Sequence, residues 1–221
     1  MAVAYFQDKQ LEKALEIFQQ IYKDSPDNLK VLYNLAIIAK VQNKSSLAID
    51  YFVNYRKYNS GDLSVNAELA ELYYVTKQYN KVIEIANQSV MATDEKTQLL
   101  KAKSLIHIEQ YSQAMELLTQ INQYKPNNNE VLLLLAKLYS QVPDKNLRNG
   151  QLSVQYAQMA FNNETSQLSY WQLLMALDET EKCHDFEQLA LDFAQLMKTE
   201  KHTIIAQIKN QRAAEFRCQV E

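Results

Sequence analysis

The sequence predicts an all-α protein, a stack of about six helical hairpins with a helix capping its C-terminal end. Three observations carry this. A small or aliphatic residue recurs at Ala14, Ala48, Val82, Ala114, Ser153 and Leu189, at steps of 34, 34, 32, 39 and 36 residues, with an apolar residue four positions after each. A period near 34 is one supersecondary unit repeated, not one globular core. Glycine and proline number only two and three (Gly61, Gly150; Pro26, Pro126, Pro143), too few for the turns of a β-rich chain of 221 residues. Leu, Ala, Gln, Glu and Lys fill the chain instead, and these are good helix formers.

The elements follow in order. Lys9 to Lys23 carries Leu11, Ala14, Leu15, Phe18, Ile21 and Tyr22 at the i, i+3, i+4, i+7 spacing of a one-sided helix. Pro26 stops it, and Asp27 to Val41 is the next helix, with Leu32, Leu35, Ala36 and Ala39 inward. Asn43 breaks that helix. Ser45 to Tyr58 returns with Leu47, Ala48, Ile49, Phe52 and Tyr55, and Gly61 closes the second unit. Leu63–Thr76 pairs with Gln78–Met91, and Glu95–Ile108 with Glu109–Asn122, closed by Pro126. Glu130–Gln141 is followed by an insertion from Val142 to Gly150, after which Gln151–Phe161 resumes the helix. Gln167–Glu179 and Asp185–Lys198 form a sixth pair. Thr203–Val220 is last, with Ile204, Ile205, Ile208, Ala213 and Phe216 on one side and Lys209, Arg212 and Arg217 largely on the other.

Several function classes are excluded by composition. Sparse, scattered glycine leaves no loop to cradle a phosphate, so P-loop or dinucleotide binding is not expected. The net charge of −3 comes from interspersed lysines and glutamates, and no basic stripe suits a nucleic acid. The longest apolar run, Val131 to Ala136, is far short of the ~18 residues of a membrane span. Met1–Phe6 reads as the end of a helix rather than a signal peptide, as in a segment of a longer protein. Two cysteines make no disulfide framework and leave the compartment undetermined.

The pattern Leu32…Leu35-Ala36…Ala39…Ala48…Phe52 resembles the tetratricopeptide repeat (TPR) family. Tyr5…Ala14…Phe18…Pro26, Leu69-Ala70…Tyr73…Tyr79 and Leu135-Ala136…Tyr139 repeat it in register, so the resemblance covers essentially the whole chain. The family's tryptophan is replaced by Leu32, Asn66, Gln98 and Leu132, and the single Trp171 stands early in the sixth unit. The resemblance implies a right-handed α-α superhelix over residues 1–199, in units of about 1–27, 28–61, 62–94, 95–127, 128–164 and 165–199, with a cap at 200–221. Alanines 36, 70, 102 and 136 would permit close helix crossing. Phe18, Phe52 and Tyr139 would fill the gap between hairpins.

In this family the first helix of each hairpin lines a concave groove that takes a partner's peptide or helix. By register the groove here would hold Lys30, Tyr33, Asn34, Ile37 and Val41, then Ala67, Glu68, Glu71 and Tyr74. Leu99, Leu100, Lys103, Ile106 and His107 would follow, then Leu133, Leu134, Lys137 and Gln141. The four leucines suggest an apolar contact surface, or one covered by a curled array or the last helix. Lys30 and Asn34 fit the start of the family's carboxylate clamp. Glu68 and Leu100 stand where its second Asn and its Arg belong, and a glutamate there repels the carboxylate to be held, so no clamp is expected.

Glu181-Lys182-Cys183-His184-Asp185 is the densest reactive cluster, but adjacent Cys and His cannot share a metal from a regular helix. With His107 and His202 isolated, no catalytic constellation can be assembled, and no enzyme activity, metal or cofactor is expected. The function expected is a non-catalytic scaffold or adaptor that binds a protein or peptide partner. Two alternatives stand beside it: an accessory domain of a larger enzyme or of a secretion or assembly machine, which could be membrane-tethered, and a self-association module forming homo-oligomers.

Overall fold

A computed structural model describes residues 2–8, 10–59, 65–88 and 94–218. Gly61, Leu63, Met91 and Val220, which bounded expected elements, lie outside them. The described residues contain helices and no strand, and they divide into two compact units, residues 1–108 and 109–221. Unit 1 holds α1 (Ala2–Gln7), α2 (Leu11–Asp24), α3 (Leu29–Val41), α4 (Ser45–Tyr58), α5 (Asn66–Val75), α6 (Tyr79–Ala86) and α7 (Glu95–His107). Unit 2 holds α8 (Tyr111–Tyr124), α9 (Asn129–Gln141), α10 (Gly150–Asn163), α11 (Gln167–Glu179), α12 (Cys183–Met197) and α13 (Lys201–Arg212).

Two kinds of helix start occur among the described residues. Helices α3, α7, α9 and α11 are capped by side chains: Asn28 accepts from the Val31 N–H, Asp94 from Thr97, Asn128 from Val131, and Ser166 from Ser169 in a capping box. Helices α4, α6 and α12 have no such cap. There the backbone itself closes the turn. Asn43, Lys77 and Glu181 take left-handed φ of 57°, 59° and 56°, and the next N–H reaches back to Ala39, Tyr73 and Leu177 at 2.8–3.0 Å. This tight hairpin turn is the local device that folds the α3–α4, α5–α6 and α11–α12 pairs back on themselves.

Small residues sit where helices cross. Ala36, Ala70, Ala102 and Ala136 are all fully buried, as are the repeat anchors Ala14, Ala48, Val82, Ala114 and Ser153. Ser153 meets α9 directly, its hydroxyl donating to the Ala136 carbonyl at 2.8 Å. Phe52 is completely buried in the unit 1 core with Ala48, Leu69, Ala70 and Val82. Unit 2 has its own core, including Leu174, Phe186, Ala190, Phe193 and Ile208. Tyr139 is only half-buried and stacks on Tyr156 at 5.9 Å.

The insertion is ordered. Asp144 caps a short 3-10 turn at Lys145–Leu147, and the Arg148 guanidinium donates to the Val142 carbonyl at 2.7 Å. Asn149 then caps α10, whose first residue is Gly150.

The C-terminus departs from expectation. The last helix ends at Arg212 rather than running to Val220, because Ala213 turns to φ 49° and the chain leaves through a 3-10 turn at Ala213–Glu215. What draws it away is Asp178, buried at the end of α11. Its Oδ1 accepts the N–H groups of Arg217 and Cys218 at 2.9 and 2.8 Å, and its Oδ2 accepts Arg212 Nε at 2.8 Å. Arg212, expected on the solvated side, is 5% exposed and also pairs with Glu179. Cys183 and Cys218 are joined in a disulfide, a covalent link that two cysteines 35 residues apart did not announce.

Gly150 tests how closely α10 approaches the end of α11. A Cβ there would lie 2.5 Å from the Thr180 methyl, and that methyl is fixed because the Thr180 hydroxyl donates to the Ala176 carbonyl at 2.9 Å. At an ordinary first-turn position Gly→Ala stabilises a helix. Here Gly150→Ala is expected to cost about 1–3 kcal/mol by overpacking. Thr180→Ser keeps the hydroxyl and removes the methyl, so the double variant should recover most of that loss in urea unfolding.

Candidate protein-interaction face

The face presented by the first helices differs between the two units. In unit 1 it is polar and internally satisfied. Lys40, near the end of α3, donates to Glu68 and Glu71 of α5 at 2.7 and 2.9 Å, and Lys96 of α7 reaches Glu71 at 3.0 Å. Partial burial pulls the Lys40 ammonium pKa down, but the bonds from both carboxylates outweigh it and the value is raised overall. The Lys40 hydrogen bond, then that of Lys96, holds the Glu71 carboxyl below its ordinary range.

Aromatic contacts continue this face. His107 stacks on Tyr79 with ring centroids 4.5 Å apart, and its Nε2 lies 3.2 Å from the Tyr74 hydroxyl. Tyr33 packs edge-on against Phe52 and Tyr55. Lys30 is exposed, and the Asn34 amide donates to its carbonyl at 2.6 Å. Ile37 is half-buried against the core, and Lys103 is half-buried. Glu68, read as the residue that spoils a carboxylate clamp, is paired to Lys40.

Leu99 and Leu100 correct one expectation. Both are buried, at 8% and 9% exposure, and Leu100 belongs to the unit 1 core beside Leu69 and Val82. They offer no open apolar surface.

Unit 2 is different. Leu133 and Leu134 of α9 remain half-open, and with Leu168 of α11, 55% exposed, they line a pocket of about 490 Å³. Asn129, Glu130 and Glu164 stand at one end of it and the exposed Lys137 at the other, with Gln172 also in its lining. The size suits one or two aliphatic side chains within a polar rim.

Sequence reading found Leu133, Leu134 and Lys137 but missed Leu168 and Gln172. A signal was present: Ser169, Gln172, Leu173 and Ala176 form the buried stripe of α11, and Leu168 falls outside it. Lys40 and Lys96 were also missed, though Glu68 and Glu71, one turn apart, called for a cation.

A chain of helical hairpins, three of them closed by a left-handed turn at Asn43, Lys77 or Glu181, defines a helical-repeat fold. The fold is that of solved tetratricopeptide-repeat structures, to which the chain is similar. YrrB, a TPR protein with an unusual peptide-binding site, matches with a TM-score of 0.69 and 10% identity over 89% of this chain and 99% of that one. PilF of Pseudomonas aeruginosa matches at 0.68 and 14% identity over 95% and 94%, and PilW, a widely conserved type IV pilus biogenesis factor, at 0.65 and 11% over 93% and 94%. No protein-family model and no curated protein matches the sequence.

The Lys40–Glu71–Lys96 cluster makes unit 1 sensitive to acid. The folded Glu71 pKa lies below the ordinary 4.5, so its stabilisation is present above that value and is lost as pH falls through the lowered one. Glu71→Gln should therefore be less stable than the parent at about pH 7, by no more than about 1 kcal/mol given its partial exposure. The gap should narrow as pH falls below 4.5, as read by thermal unfolding across that range.

Proposed function

We propose that the protein is a non-catalytic interaction scaffold whose first-helix face receives a segment of a partner protein, and that unit 2 supplies the main docking site. The observation that carries this is the open pocket of Leu133, Leu134 and Leu168. On a solvated surface, leucines gathered in a concave site with polar groups around them gain most from being covered. Support comes from YrrB, a protein of the same fold with a peptide-binding site. In unit 1, Glu68, Glu71, Tyr74 and His107 would form a separate polar surface, with Glu68 and Glu71 paired to Lys40 and His107 against Tyr74. A rigid helical surface costs little ordering on binding.

Peptides selected from a random displayed library on the parent protein test this. Leu168→Asp changes an exposed side chain and should leave the circular dichroism unchanged, while the selected peptides lose tenfold or more in affinity. Undiminished binding to that variant would remove the pocket from the site.

A second reading makes the chain an accessory domain of a secretion or assembly machine, working in an oxidising compartment. Two observations favour it. Its fold matches PilF and PilW over nearly the full length of each chain. The Cys183–Cys218 disulfide is of a kind that persists outside reducing compartments. No helix among the described residues is long and apolar enough to cross a membrane. Alkylation of thiols in intact cells should leave both cysteines unmodified until reductant is added. Reduction of the purified protein should cost about 2–4 kcal/mol of stability, for a loop of this length. Cysteines that react freely in the cell would overturn this reading.

A further inference from the structure

The pocket in unit 2 contains more than leucines. Gln172 is 6% exposed, and its Oε1 has no hydrogen-bond partner among the described residues. Asn129 Oδ1, in the same lining, is likewise buried and unpartnered, while the amide nitrogen of that side chain donates to Glu164 at 3.3 Å. An unsatisfied buried acceptor is costly, and most such groups in native proteins are paired. Two of them lining one open pocket ask for donors from outside. We propose that the pocket takes an extended peptide segment of a partner protein, with one aliphatic side chain among Leu133, Leu134 and Leu168 and a main-chain N–H donated to Gln172 Oε1. The segment carries a basic side chain at the Glu130/Glu164 end and an acidic one at the Lys137 end.

The inference rests on the reading of this face as the docking site, and it narrows the occupant in three ways. A helix spends its main-chain N–H groups on itself, so it can fill the leucine pocket but cannot pair the buried acceptors. An extended segment has every second N–H to spare. An acyl chain or other purely apolar ligand has no donor at all. The rim charges then orient the segment. Glu130 and Lys137 are seven residues apart on α9, which places them about 10 Å apart along its axis. In an extended chain alternate residues share one side, so basic, aliphatic and acidic residues at positions i, i+2 and i+4 span about 13 Å, within reach of two flexible charged side chains.

The test uses the full chain and the blocked pentapeptide acetyl-Lys-Ala-Leu-Ala-Glu-amide, followed by nuclear magnetic resonance titration. Three peptide variants accompany it: one with Lys and Glu exchanged, one with N-methylleucine, and one of the same residues held in a helical staple. The parent peptide should shift signals of α9 and α11 and bind about fivefold or more tightly than each variant. Lys137→Glu, at an exposed site, should narrow or reverse the preference between the two charge orders. Gln172→Leu, which removes the orphaned acceptor, should fold at least as stably as the parent and bind the N-methyl and parent peptides alike.

Equal binding of the N-methylated peptide to the parent protein, or a stapled helix that binds more tightly than the extended one, would overturn the proposal and leave the docking face standing. Failure of the docking reading itself looks different: signals would move elsewhere, and Leu168→Asp would bind as well as the parent.

Discussion

Everything in this molecule depends on how closely two helices of a hairpin can approach. At Ala36, Ala70 and Ala136 the side chain is a single methyl, fully buried, and at the α9–α10 crossing a serine hydroxyl touches the opposing backbone. A larger group at any of these points would lever the hairpin apart and expose the leucines beside it. Close crossing has a consequence. A two-helix unit this thin has one apolar face covered by its own partner and another left wet, so each hairpin is stabilised by the next. The short turns comply with the same constraint: Asn43, Lys77 and Glu181 accept left-handed backbone, at some conformational cost, so that three residues reverse the chain, while the α9–α10 pair uses the longer ordered insertion instead.

That division of labour leaves the outer face of each first helix under no packing obligation. In α5 the buried stripe is Asn66, Leu69, Ala70 and Tyr73, while Glu68 and Glu71 point to a different set of neighbours. The two units have used the freedom differently. Unit 1 has closed its face with an ion cluster and a tyrosine–histidine stack. Unit 2 has kept three leucines at least partly open, and two buried amide oxygens of the pocket's lining residues lack a partner. A surface whose polar groups are already satisfied gains little from a partner, whereas one with unpaired acceptors and uncovered aliphatic groups gains much.

The repeat was legible because it is written in side-chain size, which varies little where backbones touch. Ala14, Ala48, Val82 and Ala114 mark it without any contact being known. Helix starts were legible to within a few residues through the apolar spacing: the helices expected from Asp27, Glu95 and Glu130 begin at Leu29, Glu95 and Asn129. The site was legible only in part. Period and register identify which residues leave the core stripe, and so found Leu133, Leu134 and Lys137. They do not say how far a neighbouring helix covers a given position, which is why Leu99 and Leu100, equivalent by register, turned out to be buried. The C-terminal strap was hidden for another reason. Arg212, Asp178 and Cys218 meet across 34 to 40 residues, and such contacts leave no periodic trace.

That strap bears on the site, because both are built on α11. Leu168 and Gln172 occupy its first half and Asp178 and Glu179 its end. The α11–α12 hairpin is held by α13, by a carboxylate that accepts two backbone N–H groups and a guanidinium, and by a disulfide. A buried ion cluster of this kind gains little over a well-packed apolar one, and removing one member leaves an unpaired charge that costs about 3–5 kcal/mol. Its benefit is geometric, since only one placement of the tail satisfies Asp178. Indole Nε1 of Trp171 adds a bond to Gln211 of α13 at 2.9 Å. A helix pinned from its middle to its end keeps its first two turns in one position, and the peptide binding proposed for this pocket, with an acceptor held in place, would need that rigidity more than additional stability.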